Sequence, residues 1–151
     1  MLPKQHFALG LVPAILMGFL NPLYGLLFLI GAILIDFDHY LAYVLAFGDF
    51  SLVHAVNFFE TNVRHFCHNG TGRVFLLFHN IETFVALIAV SIYIPIVYFL
   101  FFGMIFHYGC DLCYDYATFR RFLREFSIIA YMLNPKKVSL KKLKTPLKEM
   151  N

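Results

Sequence analysis

Ionisable side chains are absent from two long stretches of this chain, Phe7 to Ile35 and Thr83 to Phe106. Histidines and carboxylates frame both. His6 precedes the first stretch and Asp36-Phe37-Asp38-His39 follows it. His79-Asn80-Ile81-Glu82 precedes the second and His107 follows it, with Asp111 one turn further on. A spanning helix needs roughly 20 apolar residues, so the first stretch is too long for one helix. Asn21-Pro22 lies near its middle and favours a turn. The pattern therefore predicts a helical hairpin, with one helix ending at Leu20 and a second starting at Leu23. The second continues through Asp36–His39 to Phe47 and ends at Gly48-Asp49. At a rise of roughly 1.5 Å per residue, His6 to Leu20 descends about 21 Å and Leu23 to Asp36 returns about 20 Å, so His6 and Asp36 regain one depth.

The second stretch has the same layout. Pro95 breaks it, because proline cannot continue the helical hydrogen-bond ladder cleanly. From His79 to Tyr93 is a drop of about 21 Å and from Pro95 to His107 a climb of about 18 Å. One kinked helix from Phe84 to Tyr108 would instead put His79 and His107 on opposite sides of a membrane; the hairpin is the favoured reading. Between the stretches, Phe50 to Phe78 is expected to form a short interfacial helix and then a capping loop at Asn69-Gly70-Thr71-Gly72. His54, His65 and His68 read there as surface or interfacial histidines. After Asp115, the residues Phe119, Phe122, Leu123, Phe126, Ala130 and Leu133 share one helical face and Arg120, Arg121 and Arg124 lie off it. This predicts an amphipathic helix in a membrane surface.

Composition sets the class. The chain has 151 residues, 60% hydrophobic and 14% charged, with mean hydropathy +0.72, against about 45–50% apolar and about 25% charged for soluble domains. The expectation is an all-α integral membrane bundle of two hairpins plus the amphipathic helix, filling residues 1–134, followed by a basic tail over 135–151. Lys4 before an apolar run resembles a signal peptide, but no small-x-small cleavage site follows, so a retained membrane segment is expected. The tail carries Lys136, Lys137, Lys141, Lys142, Lys144 and Lys148, which predicts a multi-pass cell-membrane protein with a cytoplasmic C-terminus. Cys67, Cys110 and Cys113 are an odd set and give no disulfide framework. The Cys110–Cys113 pair reads as small core residues.

Helical positions three and four apart share a face, which pairs Asp36 with His39, His79 with Glu82, and His107 with Asp111. Asp38 falls off the face of Asp36 and is a candidate orienting carboxylate or general base, and Glu82 a candidate proton acceptor. His6, Asp36, His39, His79, His107 and Asp111 are the candidate ligands. Mixed imidazole and carboxylate donors suit zinc, with manganese or iron also possible. Six ligands are enough for two ions sharing a carboxylate, an arrangement that serves phosphoester chemistry.

The four segments, His6 before an apolar helix, GAILIDFDHY, LFHNIETF and GMIFHYGCDLCYD, resemble the membrane-bound metal-dependent hydrolase family. That family is considered distantly related to zinc-dependent phospholipase C and the S1/P1 nucleases. The resemblance covers roughly Pro3 to Tyr116 and implies an all-helical fold, a His/Asp metal centre and hydrolysis of phosphate esters. By motif it places His6, Asp36, Asp38, His39, His79, His107 and Asp111 in the metal site and Glu82 beside it. His79-Asn80-Ile81-Glu82-Thr83 departs from the HRGxTHS text of many bacterial members. The expected activity is hydrolysis of a lipid phosphate or phospholipid, with no nucleic-acid partner and with oligomerisation allowed. The alternative is a non-enzymatic haem-binding or ion- or proton-translocating membrane protein.

Overall fold

A computed structural model describes residues 3–63, 75–120, 125–133 and 140. Among them there are helices and turns but no strand: α1 (Pro3–Leu20), α2 (Pro22–Leu34), α3 (Phe37–Phe47), α4 (Leu52–Phe58) running into a π-helical turn (Phe59–Val63), α5 (Ile81–Tyr93), α6 (Val97–Phe119) and α7 (Ile128–Leu133). The chain is all-helical over these residues, as its hydrophobic pattern predicts.

Both hairpins form. Asn21 makes the first turn: its N–H donates to the Met17 carbonyl at 3.1 Å, and its side-chain oxygen accepts the N–H of Leu23 at 2.9 Å, capping α2 with Pro22 at the first helical turn. Ile94-Pro95-Ile96 makes the second. Phe84 near the start of α5 packs on Phe101 and Tyr108 of α6. Helix α5 therefore folds back on α6, and the kinked-helix alternative is set aside.

Glycines let the helices touch. A Cβ on Gly31 of α2 would lie 2.1 Å from the Leu100 carbonyl oxygen, and one on Gly103 of α6 would lie 2.0 Å from the Phe28 carbonyl oxygen. The backbones of α2 and α6 thus meet directly, the way small residues bring helices together where lipid gives no hydrophobic drive. Gly25 does the same for α1 against the Ala14 carbonyl, at 2.3 Å. Ile35, Phe84, Phe101 and Met104 fill one side of this bundle and Ala14, Phe28 and Ala32 the other. A separate cluster of Tyr43, Ala55, Phe58 and Leu76 lies under α3 and α4, with Leu140 against it.

Two expectations are corrected. The helix after Asn21 is not continuous to Phe47. It breaks at Ile35-Asp36, where the N–H of Asp36 donates to Ile33 (3.1 Å) and that of His39 to Asp36 (3.1 Å), the tightened bonding of helix ends. Nor does one amphipathic helix run through 119–133. Arg120 adopts a left-handed conformation (φ 56°) that ends α6, Glu125 to Ser127 are non-helical, and the chain turns back so that the Phe126 carbonyl accepts the N–H of Ile81 (2.9 Å). Among the described residues after Arg120, α7 is what remains of that helix. The loop containing His65, His68 and the Asn69–Gly72 turn lies outside the described residues, as do Cys67, Arg121, Arg124 and all of the tail except Leu140.

Two helical segments are long and apolar enough to cross a membrane, Pro22–Phe47 taken through its bend and Val97–Phe119. Only 33% and 28% of their most apolar windows are buried.

The seam between α2 and α6 is directly testable. Gly103→Ala forces a methyl group into the Phe28 carbonyl and is expected to cost about 3 kcal/mol or more, as severe overpacking does. Gly109→Ala on the same helix meets nothing within 4 Å and is expected to stabilise by about 0.5–1 kcal/mol, the helix-propensity gain. Thermal unfolding of both variants in detergent checks this; equal effects would remove the seam from the account.

Candidate metal centre

Four separate parts of the chain deliver the polar core. His6 comes from the first turns of α1, Asp36, Asp38 and His39 from the break between α2 and α3, His79 from the segment before α5, and His107 and Asp111 from consecutive turns of α6. His6, Asp38, His79, His107 and Asp111 are buried, while Asp36 and His39 keep 22% and 21% of their side chains exposed and mark the open side.

Each histidine is fixed through one nitrogen. The Nδ1 of His107 lies 2.6 Å from the Ala32 carbonyl oxygen, so it donates there, and in the neutral ring Nε2 then carries the lone pair. That contact needs the α2–α6 approach at Gly31 and Gly103, one turn away. The Nδ1 of His79 lies 3.0 Å from Asp38 Oδ2, which also accepts the Phe78 N–H at 2.8 Å. Asn80 holds the rest of this segment: its amide donates to the Leu76 (3.0 Å) and Leu77 (2.6 Å) carbonyls, and its oxygen caps α5 at the Thr83 N–H (3.3 Å). The ring of His6 stacks on that of His107 at 3.6 Å, with its Nε2 3.0 Å from Asp111 Oδ1.

The remaining nitrogens face a common set of oxygens. His107 Nε2 is 3.4 Å from Asp36 Oδ1 and 3.2 Å from Asp111 Oδ2, and His79 Nε2 is 3.6 Å from Asp111 Oδ2. All four donor atoms of Asp36, His79, His107 and Asp111 lie within 4.8 Å of one another. Donors bound about 2.0–2.1 Å from one zinc at tetrahedral angles stand about 3.4 Å apart. Charge-assisted hydrogen bonds would instead draw these atoms to about 2.7–2.9 Å. Both Nε2 atoms are buried with no hydrogen-bond partner of acceptable geometry, although carboxylate oxygens stand close by. Unpaired buried polar atoms are costly, and a divalent cation between them removes the cost. The residues present therefore fit a tetrahedral ion.

Asp38, His39 and His79 form a second group, with His39 Nδ1 at 3.0 Å from Asp38 Oδ1 and 3.6 Å from Asp36 Oδ1. It shares His79 with the first, and the His79 nitrogen on this side is the one already directed at Asp38. Two ions at once would require both nitrogens of that single ring. The geometry fits one ion in the first group, with Asp38 orienting His79 and His39.

Glu82 is elsewhere. It accepts hydrogen bonds from the Ser127 hydroxyl and from the N–H groups of Ile128 (3.1 Å) and Ile129 (3.3 Å), which caps α7 and ties it to α5. The expected role of Glu82 as a proton acceptor in the site is corrected accordingly; both of its oxygens serve a helix end. Its i, i+3 spacing from His79 presumed a helix through both residues, whereas α5 begins only at Ile81. His54 is a surface residue paired with Asp49 at 2.8 Å, as expected of it. Asp115, one turn beyond Asp111, is buried. Arg120 lies over the Tyr116 ring. Sequence reasoning missed the Ala32 carbonyl and Asn80; the small residues Gly31, Ala32 and Gly103 amid Leu and Phe were the available signal for the former.

No protein-family model, curated protein or solved structure matches this chain.

Two variants test the arrangement. Asp38→Asn removes the charge that orients His79 and is expected to weaken binding of zinc about 10- to 100-fold, the usual effect of losing such a partner, measured by competition with a chromophoric chelator. An unchanged affinity would detach Asp38 from the site. Glu82 sits at the end of α5, a helix too short to span, and its Ser127 and backbone hydrogen bonds pull its carboxyl from 4.5 down to about 2. A carboxyl depressed on folding stabilises the fold above its unfolded value and loses that effect as pH falls toward the folded one. Glu82→Gln is therefore expected to melt below the parent at pH 7, with the gap closing between pH 4.5 and pH 2.

Proposed function

We propose that this chain is an integral membrane protein that holds a divalent, zinc-type ion on Asp36, His79, His107 and Asp111 and hydrolyses a phosphate ester of a membrane lipid. The observation that carries the reading is a group of four donors within 4.8 Å, with three nitrogen–oxygen distances of 3.2 to 3.6 Å and two buried imidazole nitrogens that have no hydrogen-bond partner of acceptable geometry. The apolar surface of α2 and α6 supports the membrane setting, since helices of a soluble core would be mostly buried.

When bound there, such an ion supplies Lewis acidity: it makes a water acidic near neutral pH and draws charge from a phosphoryl oxygen. The chain's own residues define how a substrate meets it. Asp36 is the ligand on the open side, so a phosphate approaches past Asp36 and His39. Asp38 orients His79 among the ligands and His39 at the opening with one carboxylate, which couples the ligand set to the substrate side. The buried residues His6 and Asn80 keep Asp111 and the His79 segment in place. A haem reading uses the histidines but gives no role to Asp36, Asp38 and Asp111. A transport reading uses both, and differs in releasing no phosphate.

The test is phosphate release from phosphatidic acid and from lysophosphatidic acid by the purified protein loaded with zinc. The expected result is turnover that falls at least 100-fold in His107→Gln and in Asp36→Asn, with zinc lost in the first. A zinc-loaded protein that moves protons or ions across vesicles and releases no phosphate would replace the hydrolase reading with transport.

A further inference from the structure

We infer that the two hairpins enter a lipid bilayer from one side and turn back inside its hydrocarbon, so that the proposed metal centre and the charged residues among those described stay on a single face of the membrane. This rests on the membrane setting proposed above and fixes its topology.

Length is the first observation. The hydrocarbon layer is about 30 Å thick. From the centre to the hairpin tips is only about 21 Å along α1 and about 18 Å along the first part of α6. For the tips to reach water on the far side, the centre must sink about 10 Å below the near edge of that 30 Å layer. Asp36 and His39, both partly exposed, would then face acyl chains, where an ionisable group is most costly.

Charge segregation is the second. Between residues 3 and 120, every Asp, Glu, Lys, Arg and His lies outside Phe7–Ile35 and Thr83–Phe106. The exposed Asp49–His54 pair, Glu60, Glu82 and Arg120 all belong to segments at the centre's end of the hairpins. Tyr40 and Tyr43 are there too, their hydroxyls on the Phe50 carbonyl and on Asp49, as interfacial tyrosines keep a polar tip in use. The opposite end carries Phe19 and Leu20, each 82% exposed, and Ile92 and Ile94. Tyr93 brings one neutral hydroxyl into that layer, a smaller cost than a carboxylate.

The turns themselves are the third. Backbone in hydrocarbon must satisfy its donors internally. At the first tip the N–H groups of Asn21, Leu23, Tyr24 and Gly25 go to the Met17 carbonyl, the Asn21 side chain and the Asn21 carbonyl, and Pro22 has none. At the second, Ile94, Val97, Tyr98 and Phe99 donate to Val90, Ile94, Pro95 and Ile96, and Pro95 has none, so of this turn's donors the Ile96 N–H is the one not closed by these bonds. The side chain and prolines at these turns close donors that a loop in water would leave to solvent.

The chain contains no tryptophan, so single substitutions report depth without background. Phe19→Trp and Tyr93→Trp probe the tips and Phe50→Trp the opposite end, each replacing an exposed aromatic. The full chain is reconstituted in phosphatidylcholine vesicles with bromine either at the end of the acyl chain or near the ester. The expected result is that both tip tryptophans are quenched severalfold more by chain-end bromine and are insensitive to iodide inside or outside the vesicles, with the order reversed for Phe50→Trp. Tip tryptophans quenched best near the ester, or by iodide, would overturn the one-sided topology and leave the membrane setting intact. A tryptophan signal unaffected by either lipid, from protein that does not float with the vesicles, would overturn both.

Discussion

Asp111 is sealed from solvent among three imidazoles, and the arrangement of the centre follows from how that charge is balanced. A carboxylate in an apolar molecule demands a partner charge. His6 meets one of its oxygens, with Nε2 3.0 Å from Oδ1, while His107 spends its Nδ1 proton on Ala32 and His79 spends its own on Asp38. Neutral rings would leave their other nitrogens as lone pairs beside further carboxylates, and a cation among them would balance the charge.

The helix packing serves this site. Gly31 and Gly103 bring α2 and α6 into backbone contact, and this places the Ala32 carbonyl within reach of His107. The break at Ile35-Asp36 falls between Ile35, buried in the core, and the polar group Asp36, Asp38 and His39. Asp36 then faces His107, while Asp38 faces His79 from the following segment. The junction of α2 and α3 thus supplies both a candidate ligand and the carboxylate that orients another candidate, His79.

Much of this was legible in the sequence. Uncharged runs interrupted by Asn21-Pro22 and Pro95 define two hairpins, and equal descent and ascent return the framing residues to one depth. Equal helix lengths alone bring His6, Asp36, His79, His107 and Asp111 to one level. What escaped it depends on local geometry. Glu82 was grouped with His79 on a helical spacing, yet Asn80 caps α5 between them and sends the two side chains to different neighbours. The apolar stripe through 119–133 looked like one helix because periodicity does not register a left-handed residue at Arg120. A backbone carbonyl acting as the partner of His107 shows only indirectly, through the small residues Gly31, Ala32 and Gly103 that let the two helices approach.

The proposed function requires one metal ion on Asp36, His79, His107 and Asp111. X-ray absorption at the zinc edge on the purified, zinc-loaded chain tests it most directly. The account predicts one zinc per chain with about four nitrogen and oxygen neighbours at about 2.0–2.1 Å and no sulfur. A six-coordinate shell of water oxygens, or zinc held by the sulfur of Cys110 or Cys113, would contradict it.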